Sequence, residues 1–201
     1  MASALSLPDS AYVPASAISV KVLVAGPFGV GKTTLVGSVS EIKPLRTEER
    51  ITAASVGIDD LTESDGKTTT TVAMDFGRLT LLGGETALYL FGLSGQERFW
   101  AFVEDLTRGA MGAVLMADTR HLGRTFPVAD FLEDRGIPYV VALNQFEGTR
   151  RFELEDVRSA LDLKPETPLV RCDARNAAEG REALIVLFEY LVSLTNHPER
   201  P

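Results

Sequence analysis

The chain has 201 residues, a formal net charge of −8, and 45% hydrophobic against 24% charged residues, the balance of one ordinary globular domain. Its acidity and the lack of any Lys/Arg run argue against a nucleic-acid binder. The single cysteine, Cys172, excludes an intramolecular disulfide and argues against a cysteine-based metal site. No apolar stretch approaches membrane-spanning length, and the termini fit neither a secretory signal nor the usual lipidation motifs, so a cytoplasmic protein is expected.

Residues 1–17, rich in Ala, Ser and Pro, read as a flexible arm, 18–195 as one folded domain and 196–201 as a tail. Ile18 to Ala25 (ISVKVLVA) is a β-branched run and predicts a buried first strand. A glycine-rich turn follows, and TTLVGSVS then opens a helix. Lys43 to Thr70 is polar and reads as a long irregular loop. Thr71 to Leu82 and Glu85 to Gly92 predict two strands joined at Gly83-Gly84, a two-residue hairpin signal.

Gln96 to Arg108 has apolar residues at helical spacing. Met111 to Ala117 and Ile137 to Leu143 read as strands on either side of a helix over Thr125 to Arg135. A short helix at Leu154 to Leu161, a strand at Leu169 to Cys172 and a last helix bearing Leu184, Leu187, Phe188 and Leu191 on one face complete the domain. The order predicts a doubly wound α/β fold, which the glycine-rich string Gly26-Pro27-Phe28-Gly29-Val30-Gly31-Lys32-Thr33 makes one of the P-loop NTPase type. Its doubly wound sheet would have six strands, one of them an antiparallel edge strand, flanked by helices. Ligands of such sheets bind beyond the carboxyl ends of the strands.

Gly26-Pro27-Phe28-Gly29-Val30-Gly31-Lys32-Thr33 fits G-x-x-x-x-G-K-[ST] at every position, after a strand and before a helix. Glycines let the backbone wrap around phosphates, and the N–H groups of the loop and of the helix start, Thr34 included, face the anion. Lys32 is expected to reach the β- and γ-phosphates, and the Thr33 hydroxyl to ligate Mg²⁺.

From here the chain resembles the small GTPases. Their base-reading motif N-K-x-D is matched by Asn144-Gln145-Phe146-Glu147, with Gln for Lys and Glu for Asp. A carboxylate suits guanine, whose N1–H and exocyclic amine are adjacent donors, and repels the N1 acceptor of adenine. Cys172-Asp173-Ala174-Arg175 resembles the S-A-K motif, which implies that the Ala174 N–H meets guanine O6. Cys172 itself reads as a small buried residue.

The D-x-x-G motif is represented by Gly92-Leu93-Ser94-Gly95, followed by Gln96. The resemblance makes Gln96, with Lys32, catalytic: the glutamine orients the attacking water. The motif's Asp, which supports Mg²⁺, is missing; Gly92 stands there. If Gly83 and Gly84 are the turn residues, Asp75 faces Gly92 across the hairpin on the same side of the sheet and could supply the carboxylate. Aligning TVAMDF with the family's T-x-x-x-D-F selects Thr71 as the switch threonine on the metal, with Thr70 the runner-up. The arginine that gliding-motility GTPases carry before that threonine is absent, leaving Arg46, Arg50 and Arg98 as candidate cations and implying slow intrinsic hydrolysis. Phe99-Trp100 is either a partner surface or core.

The strings GPFGVGKTTLVGSVSEI, KTTTTVAMDFGR, LFGLSGQERFW and CDAR resemble the GTPase member of actinobacterial conservon operons, relatives of the bacterial gliding-motility GTPases. That resemblance implies a GTP/GDP switch with Mg²⁺, working with a Roadblock/LC7-type protein and a sensor histidine kinase. A nucleotide-binding module with negligible hydrolysis and a P-loop ATPase are the alternatives.

Overall fold

The computed structural model describes residues 13–52, 69–95 and 100–196. Strands β1 (Ile18–Ala25), β2 (Leu45–Thr52), β3 (Thr69–Leu81), β4 (Thr86–Gly92), β5 (Ala110–Ala117), β6 (Tyr139–Asn144) and β7 (Leu169–Cys172) form one sheet in the order β2-β3-β4-β1-β5-β6-β7. The helices are α1 (Lys32–Val39), α2 (Trp100–Thr107), α3 (Phe126–Glu133), α4 (Leu154–Ala160) and α5 (Ala177–Asn196). All six expected strands are present.

A seventh, β2, lies in the stretch read as irregular loop and pairs antiparallel with β3. The antiparallel strand β3 is therefore covered rather than at the edge. The sequence of β2, LRTEERIT, has no apolar pattern because an edge strand can be held by main-chain hydrogen bonds alone, and charge on an edge discourages unwanted pairing. The arm expected at 1–17 and the tail at 196–201 fall mostly outside the described residues.

Gly83 (φ 63°) and Gly84 (φ 106°) both take left-handed backbone at the β3–β4 turn, as a type I′ hairpin requires. The turn fixes the register: Leu81 pairs with Thr86, and Asp75 with Gly92. A longer or shorter turn would move Asp75 off this position.

The central strands are buried on both faces, so their side chains alternate between two cores. Val22, Val24, Leu88, Leu90, Val114 and Met116 point to α1 and α5, against Leu35, Val36, Leu184 and Leu187. Leu23, Ala25, Leu115, Ala117, Val141 and Leu143 point to the other side, against Phe131 and Leu132 of α3 and Val157 of α4. The stripe on α5 is thus core packing. Full burial of each large aliphatic side chain stabilises the fold by roughly 1.5–3 kcal/mol, and the two layers hold the carboxyl ends of β1, β4, β5, β6 and β7 at one rim of the sheet.

Candidate functional site: a phosphate loop and a cleft at one rim

The loop from β1 to α1 turns through Gly26 (φ 139°), Gly29 (φ 78°) and Gly31 (φ 107°). Space is as restrictive as conformation. A Cβ at Gly26 would lie 2.5 Å from the Met116 carbonyl oxygen, and one at Gly31 would lie 2.6 Å from Asn144 Nδ2. Gly31 caps α1 with no side-chain hydrogen bond, so the first-turn N–H groups face the loop rather than a capping side chain. Val30 is buried, anchoring the loop, whereas Phe28 is 73% exposed at its outer edge.

Lys32 Nζ donates to the carbonyl oxygens of Gly26 and Pro27, both at 2.7 Å. Burial pushes its pKa down to about 8, with the Asp75 carboxylate partly opposing the shift. An ammonium group stripped of water in this way gains strongly from an incoming anion.

The Thr33 hydroxyl donates to Asp75 Oδ2. Asp75 reaches it across the empty place above Gly92: a Cβ at Gly92 would stand 3.1 Å from Asp75 Cβ and 3.4 Å from Oδ2. A hydroxyl and one carboxylate beside the phosphate loop fit Mg²⁺, which keeps several waters and takes its other ligands from phosphates. Among the described residues no group of three or more His, Cys, Asp or Glu could hold a metal without such help.

Thr71 is not brought to this pair. It lies inside β3, paired with Arg50, four residues from Asp75, which is about 13 Å along an extended strand. Gly95 presses on the loop, where a Cβ would lie 2.4 Å from Phe28 N. Gln96, Arg98 and Phe99 lie outside the described residues.

A cleft beside the phosphate loop has a volume of ≈ 320 Å³ and is lined by Gly31, Thr34, Asn144 to Glu147, Asp173 to Arg175, and Arg120, so it holds residues of both expected base motifs. Asn144 is its internal tie. Its Nδ2 donates to Val30 O at 2.8 Å, and its Oδ1 accepts from Ala174 N at 3.0 Å. The Ala174 N–H is therefore given to Asn144, not left open as the S-A-K resemblance implies.

Gln145 donates its backbone N–H to Cys172 O and its Nε2 to Leu143 O. Glu147 is exposed, its Oε1 3.7 Å from Arg175 Nη1. Arg175 itself is held by Asp173, whose carboxyl is drawn down to about 2 by those hydrogen bonds. Cys172 is fully buried in the core and does not line the cleft. Burial first, then Glu179 and Asp173, pushes its thiol up to about 12, so it is no nucleophile.

Sequence reading missed Arg120. Its only signal was an Asp two residues earlier at a strand end.

A seven-stranded sheet, a phosphate loop after β1 and a cleft beyond β6 and β7 define a P-loop G-domain fold. Solved structures agree on the fold. The cytosolic domain of the T. maritima FeoB iron transporter in a GDP form superposes with TM-score 0.59 at 18% identity, over 86% of this chain and 63% of that one. The G domain of Methanococcus jannaschii FeoB gives 0.57 at 13%, over 87% and 99%.

In sequence, Rab-18, a Ras-related protein of Lymnaea stagnalis, is 30% identical over 100 residues, half of this chain and 41% of Rab-18. Residues 24–194 match the family described as conserved hypothetical ATP binding proteins, and the chain belongs to that family. No described helix is long and apolar enough to cross a membrane.

Proposed function

We propose that the protein is a Mg²⁺-dependent guanine-nucleotide switch of the cytoplasm that hydrolyses GTP to GDP slowly when alone. The observation that carries this reading is the Thr33–Asp75 hydrogen bond beside Lys32. A hydroxyl, a carboxylate and an ammonium gathered beside the phosphate loop support a γ-phosphate and metal site there, although the Asp of D-x-x-G is Gly92.

In this reading the loop N–H groups and Lys32 hold the phosphates, and Thr33 and Asp75 hold Mg²⁺. Bound there, the metal would neutralise charge on the β- and γ-phosphate oxygens. Asn144 keeps the loop and the cleft in register, and the Glu147 carboxylate meets the guanine donor edge. Thr71 joins the metal only if the start of β3 rearranges, which makes that segment the switch element. Gln96 orients the attacking water. Partners that read the switch, a Roadblock/LC7-type protein and a sensor histidine kinase, follow from the conservon resemblance. The likeness to a Ras-related protein supports the small-GTPase side of this reading.

A second reading, an ATP-binding protein, is favoured by the family's description. Equilibrium affinities for GTP, GDP and ATP with and without Mg²⁺, followed by turnover, separate them. Guanine preference, Mg²⁺ dependence and slow turnover lost in Gln96→Leu are expected. Tighter binding of ATP than of GTP sinks the guanine assignment, and GTP binding without turnover leaves a binding module.

A further inference from the structure

The base cleft carries one built feature that the nucleotide motifs do not explain. At the end of β5, the backbone N–H of Arg120 donates to Asp118 Oδ1 at 2.9 Å, and its Nε donates to both carboxylate oxygens at 3.0 and 2.9 Å. Nη2 adds a bond to Oδ2 at 2.6 Å. The guanidinium carbon lies 3.6 Å from the centroid of the Phe146 ring. The Asp118 side chain is 8% exposed and that of Arg120 44%, and Arg120 lines the cleft.

The same device recurs at the end of β7. There Arg175 donates its N–H and Nε to Asp173 Oδ1 at 2.9 and 3.0 Å, and its Nη2 to Oδ2. Two Asp-x-Arg clamps thus flank the end of β6, at Asn144, and the loop after it that carries Glu147.

The geometry points to Arg120 as a planar cationic wall against which a purine base packs. This rests on the nucleotide-binding function proposed above. A guanidinium is flat, delocalised and weakly hydrated, and it stacks on aromatic rings where a lysine ammonium cannot. Here one carboxylate holds its edge and Phe146 lies against it. Its orientation is therefore fixed before the ligand arrives, which removes much of the ordering cost of binding. Gln145, the residue at the lysine position of the base motif, carries no charge, so Arg120 and Arg175 are the cations of the cleft among its lining residues.

The test measures GDP, ADP and pyrophosphate affinities of the whole chain and of Arg120→Ala and Arg120→Lys, with melting temperatures alongside. Arg120→Ala is expected to weaken the preferred nucleoside diphosphate ~10-fold, within the range of base stacking, while pyrophosphate affinity holds. Arg120→Lys, which keeps the pair with Asp118 but presents no plane, is expected to lose most of the same factor. Unchanged nucleotide affinity in both variants overturns the wall. So does an equal loss for pyrophosphate, which marks a role in loop stability alone. If the unaltered chain prefers ADP, guanine selectivity fails while the wall stands, its loss then read on ADP. If the unaltered chain binds neither nucleotide more tightly than pyrophosphate, both fail.

Discussion

Asp75 on β3 faces Gly92 on β4, and its carboxylate occupies the room that a side chain at position 92 would fill. That carboxylate accepts the hydroxyl hydrogen of Thr33 at the start of α1. A carboxylate can therefore reach the phosphate loop from the neighbouring antiparallel strand, provided the facing residue is glycine.

The first expectation concerns this exchange. Asp75→Asn should weaken Mg²⁺-dependent nucleotide binding about 10–100-fold, the range for groups that orient a metal site. Gly92→Asp alone should also weaken it, since its Cβ would meet Asp75 at 3.1 Å. Asp75→Gly combined with Gly92→Asp should recover part of the loss. Nucleotide dissociation rates with and without a chelator are the measurement; independent effects in the double variant would dissolve the link.

Lys32 sets a pH dependence. Its folded pKa of about 8 lies below the ordinary 10.5 because of burial. The unfolded chain then holds this proton more tightly between those values, so the ligand-free protein should gain stability as pH rises through that window. A bound phosphate favours the ammonium form, so near pH 8–9 binding should take up a fraction of a proton. Calorimetry in two buffers of different ionisation enthalpy would detect it; zero uptake contradicts the burial of this lysine.

Asn144 binds two loops at once. Asn144→Ala leaves Val30 O and Ala174 N without their buried partner. At roughly 1–3 kcal/mol for each of the two stranded groups, a loss of about 2–6 kcal/mol is expected from urea unfolding. Asn144→Asp keeps the acceptor for Ala174 but turns an oxygen toward the Val30 carbonyl, and should lower nucleotide affinity more than stability.

Gly180 on α5 sets two effects against each other. Alanine there gains up to ~1 kcal/mol of helix propensity. Its Cβ would stand 2.5 Å from Val39 Cγ1 and 2.9 Å from Leu35 Cδ1 of α1. Overpacking costs about 1–3 kcal/mol, so Gly180→Ala should be net destabilising by thermal unfolding, and a rise in melting temperature would show that α1 yields.

The phosphate loop, the six expected strands, the flanking helices and the hairpin register were legible in the residues alone. Each rests on local chemistry: apolar periodicity, glycine at left-handed positions, and a turn type that admits one pairing. From that register the facing of Asp75 and Gly92 followed by counting. The remaining features depend on contacts between distant parts of the chain. Strand β2 was illegible because main-chain pairing at an edge asks little of side chains. Ala174 N–H was committed to Asn144 by a contact spanning 30 residues. The placement of Arg120 on Phe146 required β5 and β6 to lie side by side, since the ring and the cation belong to different loops that only the parallel sheet brings to one rim.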